Sequence, residues 1–254
     1  MITINNLGKT FQTARGTAHV AIDSISLDVP AGQFVSILGP SGCGKSTLLY
    51  IVGGFEQATV GDVIVDGKRV DGPGTDRGPV FQEYALFPWK TVLNNVAYGL
   101  REQGVPRAQA HQRAFDWLEK VKLADYAHFY PRELSGGMRQ RAAIARTLAY
   151  EPKILLMDEP FGALDAHTRL RLQAGLLGLW EQLNNTVLFV THSVEEAVFL
   201  SDRVVVLTGT PGTVKEIVDI SLERPRVRTE LLRNTTYQEY VIHLENLLIE
   251  QVAA

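Results

Sequence analysis

The strongest chemical signal in the sequence is a glycine-rich segment at residues 39–46, which reads GPSGCGKS. It fits the phosphate-loop pattern G-x-x-x-x-G-K-[ST], in which glycines let the backbone wrap around phosphate groups and successive N–H groups form an anion nest. Lys45 would supply positive charge to the β- and γ-phosphates, and Ser46 would supply a hydroxyl to Mg²⁺. The pattern therefore predicts binding of a nucleotide with Mg²⁺. The residues expected to bind it are Gly39, Pro40, Ser41, Gly42, Cys43, Gly44, Lys45, Ser46 and Thr47.

Two adjacent carboxylates, Asp158 and Glu159, follow an apolar run at residues 154–157 that predicts a buried strand. In open α/β sheets, ligands bind at the carboxyl ends of the strands. Asp158 would hold Mg²⁺ through water, and Glu159 would polarise an attacking water as general base. An acidic turn without function is the alternative, which the phosphate loop in the same chain disfavours.

A second candidate anion site is the segment LSGGMRQR at residues 134–141, which places a serine and two glycines at the start of a predicted helix. A simple helix cap is the alternative. The segment resembles the signature sequence of ABC ATPases, and the resemblance implies ATP as the nucleotide. It also implies a dimer in which one subunit covers the γ-phosphate held by the other, giving two composite sites under two-fold symmetry. The residues expected to act in trans in this way are Ser135, Gly136 and Gly137.

The resemblance to ABC ATPases covers residues 2–208 and implies roles for further residues. Gln82 is similar to the Q-loop glutamine, a Mg²⁺ ligand linked to the transmembrane partner. Asp165 is similar to the D-loop aspartate at the dimer seam and would also act in trans. His192 resembles the switch histidine that contacts the γ-phosphate. Phe11 occupies the position of the aromatic residue that stacks on adenine, and Val20 would pack near the same base.

These residues need a scaffold of strands alternating with helices, which predicts a parallel sheet covered on both faces. The expected fold is α/β, a P-loop NTPase of the ABC type with a mainly parallel core sheet, an N-terminal antiparallel β subdomain and an inserted helical subdomain. We expect residues 1–254 to form one ATPase domain. Residues 1–87 and 151–208 would form its core, residues 88–150 the helical subdomain, and residues 209–254 a short strand-helix extension. Pro79, which lacks an N–H, marks an edge or an end of the strand that leads to Gln82.

Composition bounds the function class. The chain has 254 residues and a formal net charge of −3, so it lacks the general basic field of a nucleic-acid-binding protein. No apolar run approaches the roughly 20 residues that span a bilayer, and the N-terminal residues do not resemble a signal peptide. The one cysteine, Cys43, fits a reducing compartment. Because Cys43 lies in the phosphate loop, we expect a bulky thiol reagent to block ATP binding and ATP to protect the thiol.

A finer resemblance covers residues 67–78 and 81–89, which are similar to importer ATPases of the nitrate/sulfonate/taurine type. It implies a homodimer, or a pair with a close paralogue, bound to transmembrane permease subunits at the cytoplasmic face of the inner membrane. Leu86, Phe87 and Trp89 would line the groove for the permease, and a periplasmic or extracellular solute-binding protein would act indirectly. The resemblance favours taurine, another alkanesulfonate or nitrate as the transported solute. A thiamine precursor, riboflavin and bicarbonate are the alternatives.

Three rival classes are disfavoured. An ABC ATPase of DNA repair or translation usually carries a long coiled-coil insert or two tandem ATPase units, which the sequence lacks. A small-molecule phosphotransferase would share the phosphate loop but has no use for the segment at 134–137. A non-catalytic interaction module would not need every catalytic position filled.

Overall fold

The structure, a computed structural model, describes residues 1–12 and 16–249. The chain forms two compact units. We call the first, Met1–Gly74 with Glu181–Ala254, the core unit, and the second, Thr75–Trp180, the helical unit.

The core unit contains an antiparallel sheet near the N-terminus. Its strands are β1 (Ile2–Gln12), β2 (Ala18–Val29), β4 (Val60–Val65) and β5 (Lys68–Arg69), in the order β2-β1-β4-β5. The hairpin between β4 and β5 turns at Asp66 and Gly67, whose φ angles of 47° and 77° are both positive. A two-residue turn of this kind matches the twist of paired strands, which explains why an Asp-Gly pair marks it in the sequence.

The second group of strands in the core unit is mostly parallel. Its strands are β3 (Phe34–Leu38), β8 (Thr186–Thr191), β9 (Arg203–Leu207) and β10 (Val214–Asp219), in the order β10-β9-β3-β8. β3 runs parallel to both β8 and β9, whereas β10 is antiparallel to β9. Every residue of β3 and β8 is buried. Parallel strands buried on both faces have nearly continuous apolar sequences, as β3 and β8 do.

Among the described residues of the core unit, four helices accompany these strands: α1 (Lys45–Gly53), α6 (Val194–Leu200), α7 (Arg228–Leu231) and α8 (Thr235–Ile249). Arg226 ties the segment before α7 to α6. Its buried guanidinium donates hydrogen bonds to the carbonyls of Val198, Phe199, Ser201 and Leu222. It thereby satisfies carbonyl groups at the C-terminus of α6 that lack partners within the helix. Burial lowers the pKa of Arg226 to about 10.

The helical unit contains one parallel strand pair and most of the long helices. Its elements are β6 (Arg77–Val80), α2 (Val92–Glu102), α3 (Arg107–Lys120), α4 (Gly136–Leu148), β7 (Ile154–Asp158) and α5 (Ala166–Leu183), the last of which ends beyond Trp180. β6 pairs with β7 and lies at the edge of its sheet, as Pro79 predicts. In the described part of the chain, no helix has the length and apolar character needed to cross a membrane.

These elements confirm the expected α/β fold class, with an N-terminal antiparallel sheet and a core sheet rich in parallel strands.

Candidate functional site

The phosphate loop of the core unit connects the buried strand β3 to α1. Gly42 and Gly44 have φ angles of 83° and 88°, a region open to glycine but costly for other residues. The Lys45 side chain is buried, and its Nζ donates hydrogen bonds to the carbonyls of Gly39 and Pro40 at 2.9 and 2.8 Å. Because both acceptors are neutral, the loop keeps the full positive charge of the ammonium. This charge and the start of α1 favour an anion at the loop.

Close backbone packing fixes the shape of the loop. A Cβ on Gly44 would lie 2.8 Å from the carbonyl oxygen of Ala21 in β2, and a Cβ on Gly39 would lie 2.7 Å from Cys43 Sγ. Cys43 itself is fully buried, and burial raises the pKa of its thiol. Since the thiolate is the reactive form, the structure indicates slow reaction with a thiol reagent.

The two residues expected at the adenine are both partly exposed. The exposed fractions are 36% for Phe11 and 41% for Val20, so each can accept a further contact. Lys9 Nζ lies 4.7 Å from the centre of the Phe11 ring. In the register of β1 and β2, Phe11 pairs with His19, and Val20 pairs with Thr10. The exposed His19, which the sequence did not single out, is therefore the direct cross-strand neighbour of Phe11.

His192 stands at the end of β8, in the core unit. The residues on either side of it are fixed by hydrogen bonds: Thr191 Oγ1 donates to Glu196 Oε2 at 2.5 Å, and Ser193 accepts from the Glu196 N–H as the cap of α6. The exposed imidazole thus projects from a rigid strand-to-helix junction. Such a junction suits a residue that must contact a phosphate at a fixed distance.

In the helical unit, β7 carries the carboxylate pair at its C-terminal end. All five residues of the strand are buried, including Asp158. Glu159 follows with a φ of 41°, and non-glycine residues in this left-handed region cluster at functional sites. A tight turn follows, in which the Gly162 N–H donates to the Glu159 carbonyl at 3.0 Å.

This turn brings two predicted site residues of the helical unit together. A Cβ on Gly162 would lie 3.5 Å from Gln82 Nε2 and 3.7 Å from Glu159 Oε2. The glutamine amide and the glutamate carboxylate therefore face the same small space beside Gly162. An amide and a carboxylate at one place can together orient a water molecule and accept its proton.

The segment after Gln82 is held in an unusual conformation by residues that the sequence analysis missed. Tyr84 and Ala85 have φ angles of 57° and 48°. Arg146 of α4 donates hydrogen bonds to both of their carbonyls, and burial lowers the pKa of its guanidinium. Asn95 of α2 holds the next part of the segment, donating to the carbonyls of Phe87, Lys90 and Thr91. Asn95 is buried and Arg146 is half-buried, and polar side chains in such positions need hydrogen-bond partners.

The signature segment begins α4. Ser135 is exposed and caps the helix, because its Oγ accepts a hydrogen bond from the Met138 N–H at 3.4 Å. Gly136 and Gly137 form the first turn, and a Cβ on Gly137 would lie 2.5 Å from Thr168 Cγ2 of α5. A groove of about 400 Å³ runs between α4 and α5 beside Ser135. The helix start is therefore open to an additional ligand.

Asp165 lies just before α5. Its Oδ1 accepts a hydrogen bond from the Thr168 N–H at 3.0 Å. Hydrogen bonds from Thr168 lower the pKa of the Asp165 carboxyl, so it is ionised at neutral pH. The carboxylate is exposed.

The residues present fit ATP with Mg²⁺. Gly39 and Gly44 leave no room for a side chain, and the buried ammonium of Lys45 supplies the charge that phosphates require. Mg²⁺ prefers hard oxygen donors. The core unit offers the Ser46 hydroxyl, and the helical unit by itself offers the Gln82 amide oxygen and the Asp158 carboxylate. Among the described residues, no group of three or more His, Cys, Asp or Glu side chains could hold a metal by itself.

Comparison with known proteins gives full-length relatives. The chain is 51% identical over 251 residues to an uncharacterized ABC transporter ATP-binding protein from Methanocaldococcus jannaschii, with 99% of this chain and 92% of the relative covered. It is 46% identical to the nitrate import ATP-binding protein NrtD of Synechocystis, covering 97% of this chain and 94% of the relative. It is 42% identical to the aliphatic sulfonates import ATP-binding protein SsuB of Bacillus thuringiensis, covering 94% and 95%.

Solved structures agree. A dimeric structure of MJ0796, a bacterial ABC transporter cassette, matches with a TM-score of 0.78 and 34% identity, covering 88% of this chain and 100% of that chain. A post-hydrolysis dimer of the same cassette, bound to ADP and Pi, matches with a TM-score of 0.77 and 33% identity, also covering 88% and 100%. Residues 22–162 match the profile of the ABC transporter family. With its phosphate loop, its carboxylate pair and its capped signature helix, the chain belongs to the ABC transporter family as an ATP-binding subunit and ATPase of the importer type.

Proposed function

We propose that the chain is the ATP-hydrolysing subunit of an importer for nitrate or an alkanesulfonate such as taurine. The observation that carries the catalytic part is the placement of Glu159 beside the Gln82 amide at the end of β7. The solute class rests on the nitrate and sulfonate import relatives, to which this chain is 46% and 42% identical. Uptake of a thiamine precursor, riboflavin or bicarbonate is the alternative.

In this proposal each part of the site has a defined task. The loop N–H groups and Lys45 bind the phosphates, while Phe11 stacks on adenine and Val20 packs near it. Mg²⁺, held by Ser46, Gln82 and Asp158, would neutralise phosphate charge. Glu159 accepts the proton of the attacking water, and His192 contacts the γ-phosphate. A second copy of the chain, or a close paralogue, supplies the groups that act in trans: Ser135, Gly136, Gly137 and Asp165.

The exposure of the N-terminus of α4 supports its proposed contact with a nucleotide bound by the partner subunit. Ser135 is exposed and lies beside the groove, so a second subunit can approach it. The similarity of this chain to a cassette whose solved structure is dimeric also favours a dimer of two ATPase subunits. ATP would then join the two subunits, and its hydrolysis would release them.

The permease would dock on the segment after Gln82. Trp89 is 71% exposed there, which is unusual for so large an apolar side chain. Phe87 supports it, with ring centres 5.7 Å apart, and itself packs on Tyr98. The hydrogen bonds of Arg146 and Asn95 keep this apolar surface in place. We therefore propose a peripheral subunit at the cytoplasmic face of the inner membrane, serving a permease and, indirectly, a solute-binding protein.

Solute uptake tests the proposal. Cells would carry the native chain, Glu159→Gln, or Glu151→Gln as a control at an exposed carboxylate outside the proposed site. Labelled taurine, another alkanesulfonate, nitrate, a thiamine precursor and bicarbonate would be supplied in turn. Glu159→Gln should abolish uptake of one sulfonate or of nitrate, and the control should not. Loss of uptake of the thiamine precursor or bicarbonate, or no loss for any solute in the panel, would overturn the assignment of nitrate or an alkanesulfonate as the solute.

The catalytic role of Glu159 has its own readout. Glu159→Gln should bind Mg-ATP with an affinity close to that of the native chain and hydrolyse it about 100-fold or more slowly, since a general base contributes at least that factor. Brisk turnover by this variant would remove Glu159 from the role of base.

A further inference from the structure

The turn between β9 and β10, residues 208–213, lies directly against the phosphate loop of the core unit. Thr210 Oγ1 donates a hydrogen bond to the carbonyl of Gly42 at 3.2 Å. Gly212 is buried, and a Cβ placed on it would lie only 2.1 Å from the carbonyl oxygen of Cys43. Two successive carbonyls of the phosphate loop therefore face this turn.

The turn is itself rigid. The Thr208 N–H donates to the Thr213 carbonyl at 2.8 Å, and the Thr213 N–H donates back to Thr208 Oγ1 at 2.9 Å. Gly212 is also fixed on β2, because its N–H donates to the Ala21 carbonyl at 3.0 Å and its carbonyl accepts from the Asp23 N–H at 2.9 Å. A turn closed on itself and bonded to a strand can hold a neighbouring loop in place.

Peptide geometry connects this turn to phosphate binding. In a trans peptide the C=O of one residue and the N–H of the next point in opposite directions. Because the Gly42 and Cys43 carbonyls face the turn, the N–H groups of Cys43 and Gly44 point to the other side of the loop. The Cys43 N–H accordingly donates to the Pro40 carbonyl within the loop, at 3.4 Å. An anion nest requires this outward C=O and inward N–H arrangement.

We propose that Thr210 and Gly212 are positioning residues for nucleotide binding. They hold the Gly42 and Cys43 carbonyls outward and thereby set the direction of the N–H groups that receive phosphate. Thr210 and Gly212 lie outside residues 22–162, the part that matches the family profile. The inference rests on the proposed role of residues 39–46 as the nucleotide phosphate site.

The dissociation constants of Mg-ATP and Mg-ADP, measured by calorimetry on the full chain, test the role of Gly212. In Gly212→Ala the Cys43 carbonyl oxygen, only 2.1 Å from the new Cβ, must move by more than about 1 Å to reach an ordinary contact. A misplacement of about 1 Å costs up to about 100-fold in a positioned site. We expect both constants to rise at least about tenfold. Gly209→Ala is the matched control in the same turn, since no heavy atom of the described residues lies within 4 Å of its Cβ position. It should leave both constants within about twofold.

Variants of Thr210 provide an independent test. They should fold normally, because the Thr210 side chain is exposed. Thr210→Val removes the hydrogen bond at constant shape and should raise both constants about threefold, as the loss of one exposed hydrogen bond does. Thr210→Ser keeps the hydroxyl and should restore native binding. Equal constants for the valine and serine variants would overturn the proposal, even if Gly212→Ala failed to fold.

Two further measurements separate the possible failures. The midpoint of thermal unfolding without nucleotide shows whether a variant is only less stable. A lower midpoint with native dissociation constants in Gly212→Ala would mean a merely structural role and would overturn the inference. Lys45→Ala reports on the phosphate site itself. If it retains native affinity, the assignment of residues 39–46 fails. If it loses affinity while Gly212→Ala and Thr210→Val do not, only the present inference fails.

Discussion

The contact between α4 and α5 offers the sharpest test of the packing around the signature segment. Gly137 approaches Thr168 so closely that a Cβ would lie 2.5 Å from Thr168 Cγ2, whereas ordinary contacts exceed 3.4 Å. In Gly137→Ala the two helices must separate, or the threonine must change rotamer. Both responses disturb the start of the helix on which the proposed contact with a partner's nucleotide depends.

The expected cost follows from this overlap. Overpacking a close contact costs about 1–3 kcal/mol. Replacing a helical glycine by alanine returns up to about 1 kcal/mol through helix propensity. The net loss of unfolding free energy should therefore be about 1–2 kcal/mol. For a chain of this size, each kcal/mol lowers the midpoint of thermal unfolding by about 2–4 °C, so we expect a fall of about 2–8 °C.

Thr168→Ser provides the rescue. Serine keeps the hydroxyl that serves Asp165 and removes only the methyl group that alanine would meet. The double variant should regain most of the lost midpoint, and a double-mutant cycle should give a coupling of about 1 kcal/mol or more between the two positions. Because only the backbone of residue 137 is proposed to bind the partner's nucleotide, ATPase activity should return together with stability.

Gly175→Ala is the matched control on α5. No heavy atom in the described part of the chain lies within 4 Å of its Cβ position, so propensity should act alone and raise the midpoint by about 2–3 °C. The reasoning would be refuted by a Gly137→Ala variant as stable as the native chain, or by a loss that Thr168→Ser fails to recover.

Three further predictions follow from buried groups. Cys43, whose pKa is raised by burial, should react with a maleimide at pH 8 at least about tenfold more slowly in the native chain than in denaturant, and equal rates would contradict its burial. Arg146→Met should increase amide hydrogen exchange at residues 84–87, because the carbonyls of Tyr84 and Ala85 lose the guanidinium that donates hydrogen bonds to them. Unchanged exchange would show that the segment is held without Arg146. Arg226→Met should lower the midpoint of thermal unfolding by about 4–8 °C, because four carbonyls lose a charged hydrogen-bond donor. The hydrogen bonds lost stabilise the fold by more than the cost of burying the guanidinium, the burial that lowers the pKa of Arg226 to about 10. A midpoint within about 1 °C of the native value would contradict this.

Much of this protein was predictable from short stretches of sequence. The phosphate loop, the strands β3, β7 and β8, the turn at Asp66 and Gly67, and the helix start at Ser135 each depend on residues adjacent in the chain. Local conformation is set by glycine φ angles, by apolar runs and by capping side chains, all of which a sequence displays directly. The family resemblance then supplied roles for residues such as Gln82 and His192, whose types alone are ambiguous.

Tertiary structure alone decided which distant residues meet. Thr210 contacts Gly42 across 168 positions, Arg146 contacts Ala85 across 61, and the Gln82 amide shares the space beside Gly162 with Glu159. No local pattern encodes such a pair, because its distance is set by the packing of every element between the two residues. The sequence by itself thus determined that this chain carries an ATP-binding and ATP-hydrolysing site. The packed fold decided which other residues hold that site in shape.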